Sequence, residues 1–285
     1  MKVPALVLAA AMLLISNLPG LAQRPSDLPQ LEWETDRYVY NTTDIPGLGS
    51  LSVRAELTDE DMIKAKATPI RSVCTDSKAS PKLFNNSRTF RKLDEAFLAS
   101  EANSAHLFQL AQNYPNLRAL AIAQDAPLSK DELLQLKSFQ KLELLSLECP
   151  VAEPTTVANY LPSSLKSLFI SGTNIAESEP ANWFNLPELT KLGIRDCFLS
   201  ASFFRKLNCP NLQWIDVEVV RITGTTLGRV PRFPSLVRVD IRHTQMGTAI
   251  LNEIEHLPDL CIREMTASNV YGTDTCWAEG LLEKR

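Results

Sequence analysis

The chain has 285 residues, of which 22% are charged and 45% hydrophobic, with a formal net charge of −4. Its Lys and Arg are not clustered as a phosphate-neutralising surface requires, so no nucleic-acid partner is expected. Only ten glycines occur, and none forms a phosphate-cradling loop or the elbow of a G-x-S-x-G hydrolase.

The first element is a leader. Lys2 gives a short basic start, Ala5 to Ile15 is uninterruptedly apolar, and Pro19-Gly20 precedes the small-x-small triplet Gly20-Leu21-Ala22. That order predicts a signal peptide over residues 1–22, with Gln23 as the new N-terminus. The apolar run falls short of the roughly 20 residues a permanent span needs. No cysteine follows the cleavage position for lipid attachment. The expectation is an exported chain (secreted, periplasmic or at the cell surface) with no transmembrane anchor after leader removal. Loss of Lys2 takes the charge to −5.

Residues 23–47 are polar and contain proline, and their Trp33, Tyr38 and Tyr40 suit an N-terminal cap. From 48 to 266 one phrase recurs, L-x-x-L-x-L with a later apolar residue. The first copies are loose: Leu48 with Leu51 and Val53, Ile70 with Val73 and Thr75, and Leu93 with Ala96 and Leu98. Because of that looseness, Leu93–Gln112 reads as the best helix candidate before the regular repeats. Leu117, Leu142, Leu165, Leu189, Leu212 and Leu236 then start clear copies, and Leu260 starts one that Arg263 breaks. Successive starts from Ile70 lie 23 to 25 residues apart. A residue-proline pair keeps the same register, as in Tyr114-Pro115, Leu186-Pro187, Cys209-Pro210, Phe233-Pro234 and Leu257-Pro258. Residues 267–285 read as a C-terminal cap and charged tail.

Alternate side chains of a short strand face opposite ways, so positions 4 and 6 point inward and positions 3, 5 and 7 share the other face. Segments such as Asp131–Phe139, Phe203–Leu207 and Ile250–Leu257 would return across the back. One unit cannot bury its apolar edge alone, and stacking buries a continuous core.

These residues resemble the leucine-rich-repeat family over 48–266, and Leu165–Ile175 (LKSLFISGTNI) resembles its secreted bacterial type most. The resemblance implies an α/β solenoid with a parallel sheet on the concave face and a helical or irregular convex side. Position 9 departs from a regular asparagine ladder, reading Asp125, Pro150, Thr173, Cys197, Val220 and Thr244.

Six cysteines in an exported chain invite disulfide counting. Cys74 and Cys149 stand three units apart, roughly 14 Å at the strand spacing, beyond the reach of a disulfide. Cys197 and Cys209 take inward slots, and Cys261 with Cys276 is the one pairing expected. No spacing suggests a metal, and no cofactor is expected.

Solenoids bind through the concave sheet. Register places Lys191, Arg195, Asp196, Trp214, Asp216, Glu218, Arg238, Asp240, Arg242 and His243 there. Toward the N-terminal side the same rows carry Ala119, Ala121, Ala123, Ser146, Ser167 and Ser171, with Phe97 and Phe169 at position 5. Such an aromatic either lies open as a seat for a peptide or sugar, or is covered. The leading expectation is a non-catalytic scaffold binding a protein partner, since Arg and Trp are enriched at binding hot spots. A glycan-binding protein using Trp214, Phe169 and nearby carboxylates is the alternative. A hydrolase built on His243 is the third reading.

Overall fold

The structure is a computed structural model. It describes residues 33–34, 38–42, 49–53, 57–75, 79, 81–86, 89–99, 104–152, 154–174, 184–200, 203, 207–218, 220–223, 233–242 and 262–266. The leader, the segment Ile250–Leu257, the segment 267–285, and His243, Cys261 and Cys276 lie outside those residues. Two compact units divide the chain, residues 1–126 with 134–142 and residues 127–133 with 143–285.

In the first unit β1 (Trp33–Glu34) pairs antiparallel with β2 (Tyr38–Thr42), and β2 pairs antiparallel with β3 (Gly49–Val53). Pairing from β3 onward is parallel. After β3 come α1 (Asp59–Ala67), β4 (Ile70–Thr75), β5 (Glu95–Ala99), α2 (Ser104–Asn113) and β6 (Ala119–Ala123), with β3, β4, β5 and β6 adjacent in that order. Thr58 and Asp61 start α1 with a reciprocal capping box, which satisfies two backbone N–H groups that no helical turn precedes.

α3 (Lys130–Leu136) starts with the same device. Ser129 Oγ accepts from the Glu132 N–H, and Glu132 Oε2 accepts from the Ser129 N–H at 2.7 Å. The second unit then carries β7 (Leu144–Glu148), β8 (Ser167–Ser171), β9 (Phe184–Asn185), β10 (Lys191–Arg195), β11 (Phe198–Ser200), β12 (Leu207–Asn208), β13 (Trp214–Glu218), β14 (Arg221–Thr223), β15 (Arg238–Arg242) and β16 (Ile262–Thr266). Its main sheet runs β7-β8-β10-β13-β15-β16, all parallel.

The register follows the repeat. Leu168, Leu192 and Ile215 are Cα partners at position 4, and Ile170, Ile194 and Val217 at position 6. All six are buried, as are the position 1 leucines Leu165, Leu189 and Leu212. The residue-proline pairs now have a mechanism. The N–H of position 1 donates back to the residue before proline: Leu117 to Tyr114, Leu189 to Leu186, Leu212 to Cys209 and Leu236 to Phe233, at 3.0–3.1 Å. Each is a four-residue turn whose second residue is proline, where its fixed φ is already correct.

Three expectations change. The stretch Leu93–Gln112 is not one helix: Glu95–Ala99 is a strand and Ser104–Asn113 the helix. The loose copy at Leu93 has short Ala96 at position 4, yet pairing on both sides holds it in the sheet. In the copy read from Leu48, Leu51 and Val53 are buried and pair with Val73 and Thr75, in keeping with their inward positions. On the back of the second unit Leu207 starts a strand, β12, which pairs with β9, while β11 pairs with β14. At the last repeat the register shifts, so Ile262 rather than Arg263 partners Val239. A one-residue irregularity thereby keeps an apolar residue in the position 4 row.

Candidate functional site

The two units treat the sheet face of positions 3, 5 and 7 differently. In β8, β10 and β13 burial alternates strictly, with the odd positions partly exposed. Those positions form three rows across the strands. The first row is Ser167, Lys191, Trp214 and Arg238; the second is Phe169, Gly193, Asp216 and Asp240; the third is Ser171, Arg195, Glu218 and Arg242. Sequence register therefore brought Lys191, Arg195, Trp214, Asp216, Glu218 and Arg238 onto three adjacent strands, β10, β13 and β15, with the backbones of Asp240 and Arg242 on the last of these.

Trp214 is the centre of the first row. Lys191 Nζ lies 5.2 Å from its ring centroid, reaching from β10, and Arg238 Cζ lies 4.4 Å away, reaching from β15. Each contact sets a cation against the negative face of the π-system and is worth about 0.5–1 kcal/mol at a partly exposed site. They also hold the indole between the Lys191 and Arg238 side chains. In the third row Arg195 Nη2 stands 3.7 Å from Glu218 Oε1, and Arg195 Nε stands 3.6 Å from Asp196 Oδ2. Arg195 and Asp196 are too exposed for these pairs to add much stability. Asp196 sits just beyond β10 with φ of 47°, a left-handed conformation that aspartate tolerates better than most residues.

Sequence reasoning missed how the second row is built. A Cβ placed on Gly193 would lie 2.5 Å from Phe169 Cδ2 and 3.2 Å from Cε2. The Phe169 ring therefore crosses β10 over the one position with no side chain. A lone glycine inside a strand pattern was the available signal, since it marks close approach of another group. Next to this row Ser146 donates to Glu148 Oε1 at 3.2 Å. Burial raises the Glu148 pKa, opposed by that hydrogen bond and by Arg195.

The first unit buries these positions on its own strands. Cys74, Phe97, Ala121 and Ala123 form a buried apolar cluster at positions 5 and 7 of three adjacent strands. Phe97 is only 6% exposed, so it is packed and is not the open aromatic seat that its position allowed. Ala119 and Ala121 are buried as well, as is Ser146 in β7 of the second unit. Arg71 grips Asp94 at 3.3 Å and Glu95 at 3.5 Å beside this cluster. Burial raises the Glu95 pKa and Arg71 opposes the rise.

Cys74, Cys149, Cys197 and Cys209 are buried. Burial pushes the Cys149 thiol up to about 12 and the Cys197 and Cys209 thiols up to about 11. They behave as small hydrophobes, the reading the inward slots of Cys197 and Cys209 gave. The Cys197 thiol donates to the Arg195 carbonyl. Among the described residues, no helix is long and apolar enough to cross a membrane.

No family model and no curated protein matches the chain. Among solved structures, a leucine-rich repeat protein from Eubacterium ventriosum ATCC 27560 has 10% identity, covering 75% of this chain and 79% of its own, with a TM-score of 0.20. A likeness that low carries no argument. The α/β character and the parallel register stand on the pairing described above.

Proposed function

We propose that the chain is an exported leucine-rich-repeat solenoid acting as a non-catalytic scaffold. It engages a protein partner through the odd-numbered sheet face of β8, β10, β13 and β15. The observation that carries this reading is Trp214, partly exposed and held between Lys191 and Arg238. A large aromatic already ordered, beside arginine and mixed charge, is the kind of group that dominates protein interfaces and loses little entropy on binding. The alternative glycan reading needs an open aromatic face for a sugar ring, and cations from both neighbouring strands lie over this one.

The test starts with a photocrosslinker incorporated next to the face, at Ser167, to capture the partner from the native secretome. Trp214→Ala should then weaken binding of the purified partner by about 2 kcal/mol, near thirtyfold in Kd, with a smaller change in Tm. Undiminished affinity in Trp214→Ala would place the interface elsewhere. Export has its own check: protein from the native host should begin at Gln23, and a sequenced N-terminus at Met1 would reject it.

A further inference from the structure

The first and third rows of the second unit's sheet face hold their cations differently. Arg195 in the third row stands against acids of the same face, Glu218 at 3.7 Å and Asp196 at 3.6 Å. In the first row Lys191 Nζ and Arg238 Cζ lie against the Trp214 ring, 5.2 Å and 4.4 Å from its centroid. They reach it from strands on opposite sides of β13, since Trp214 is the Cα partner of both residues. With a cation toward each face, the indole offers a partner its rim. That rim is the positive part of the ring quadrupole, and its Nε1–H donates without accepting. Lysine and arginine likewise carry donors and no acceptor. Three neighbouring side chains thus make a positive, donor-only strip about 10 Å long, or two strand spacings. We propose that this strip receives an acidic segment of the partner protein, with a carboxylate seated at the Trp214 rim between Lys191 and Arg238. The proposal rests on the reading of this face as a protein-binding surface.

An ionised carboxylate has only acceptor oxygens, and it can take charge-assisted hydrogen bonds from an ammonium and a guanidinium together. A neutral segment would meet the same donors with weaker bonds, and a basic one would meet two like charges. Lys191 is partly exposed, and a lysine already resting on a ring loses less rotamer freedom when an acid arrives. Asp216 stands two residues beyond Trp214 on β13, so an acid displaced by one row meets a carboxylate instead. The strip thereby sets the register of the segment as well as its charge. A uronate sugar also carries a carboxylate, but the cations over both faces of the indole deny its ring a surface to stack on.

Selection of phage-displayed random peptides on the full chain tests this, with Trp214→Ala as a parallel target. Peptides that need Trp214 should be enriched in Asp and Glu. A synthetic copy of the most enriched one should bind Lys191→Glu at least about tenfold more weakly. Lys191→Met keeps the apolar stem without the charge, should weaken binding less, and keeps the test open if Lys191→Glu does not fold. Raising salt from about 0.1 M to about 1 M should weaken wild-type binding. Trp214-dependent peptides that are neutral or basic overturn the acidic assignment and leave the protein-binding reading standing. Peptides held equally by Trp214→Ala overturn both. Trp214-dependent binding of hyaluronate with no acidic peptide enriched overturns the proposal in favour of an acidic glycan. Undiminished binding of the acidic peptide by a folded Lys191 variant overturns it too, as does a selection that enriches no peptide.

Discussion

Position 5 of the repeat is occupied by phenylalanine in each unit, and the two rings have opposite fates. Phe97 on β5 is buried with Cys74, Ala121 and Ala123, and β6 beside it is buried at every residue. Phe169 on β8 is partly exposed and lies across Gly193. Both strands have the same inward spacing and the same parallel pairing. The neighbours in the row make the difference. Small apolar residues let the face close over Phe97, whereas Lys191, Trp214, Asp216 and Arg238 are too large or too polar to be covered. A repeat therefore fixes where a side chain points, and the row across several repeats fixes whether it can meet a partner.

The largest expected effect applies to what the two units share. Leu168 and Ile194 are each 1% exposed at positions 4 and 6. Leu168→Asp or Ile194→Asp buries a lone carboxylate and should cost at least about 3 kcal/mol, a large part of a typical domain's stability. Lys166 is exposed and holds Glu143 at 3.2 Å, and Lys166→Ala should cost no more than about 0.5 kcal/mol. Equal Tm shifts for Leu168→Asp and Lys166→Ala would break the register itself.

A smaller effect sharpens the contrast between the units. Phe97→Ala should cost about 3–5 kcal/mol as a core truncation. Phe169→Ala, at the same repeat position but partly exposed, should cost about 1 kcal/mol. Gly193→Ala falls between them, at about 1–3 kcal/mol, because its methyl group must displace the Phe169 ring. Placing Gly193→Ala on a Phe169→Ala background should remove most of that penalty, as expected for residues in contact. Denaturant midpoints for these four variants are the measurement. Indistinguishable losses for Phe97→Ala and Phe169→Ala would mean that the face is equally closed in both units.

Much of the second unit was legible in the sequence. Its inward residues are leucine, isoleucine and valine at unvarying intervals, so a wrong register would have buried Lys191 or Arg238. The rows therefore came out as read, down to the adjacency of Arg195 with Glu218 and of Asp216 with Asp240. The first unit was harder to read because Ala96 and Thr75 hold inward positions that elsewhere take larger apolar residues. Local propensity around Leu93 then favoured a helix over the strand that neighbouring strands impose. Burial of Phe97 goes with its row neighbours Cys74, Ala121 and Ala123, a relation across strands that no single repeat displays. The back strands β9 and β12 are only two residues each, too short to leave a pattern. The Phe169–Gly193 contact spans 24 residues and required knowing that both face outward.

The turn that opens each repeat has a consequence for how the chain can change length. The N–H of the residue after each position 1 leucine donates to the corresponding carbonyl of the preceding repeat. Lys166 donates to Glu143, Thr190 to Lys166, Gln213 to Thr190 and Val237 to Gln213, all at 2.8–2.9 Å. Donor and acceptor occupy the same place in successive copies, so one copy can stand in for another at this junction. Gain or loss of a whole repeat leaves every donor an equivalent acceptor. Gain or loss of a single residue between turns also leaves these bonds in place, since the four donor–acceptor pairs span either 23 or 24 residues. Such a change is absorbed within one repeat, whereas the proline turns mark where whole repeats can be cut.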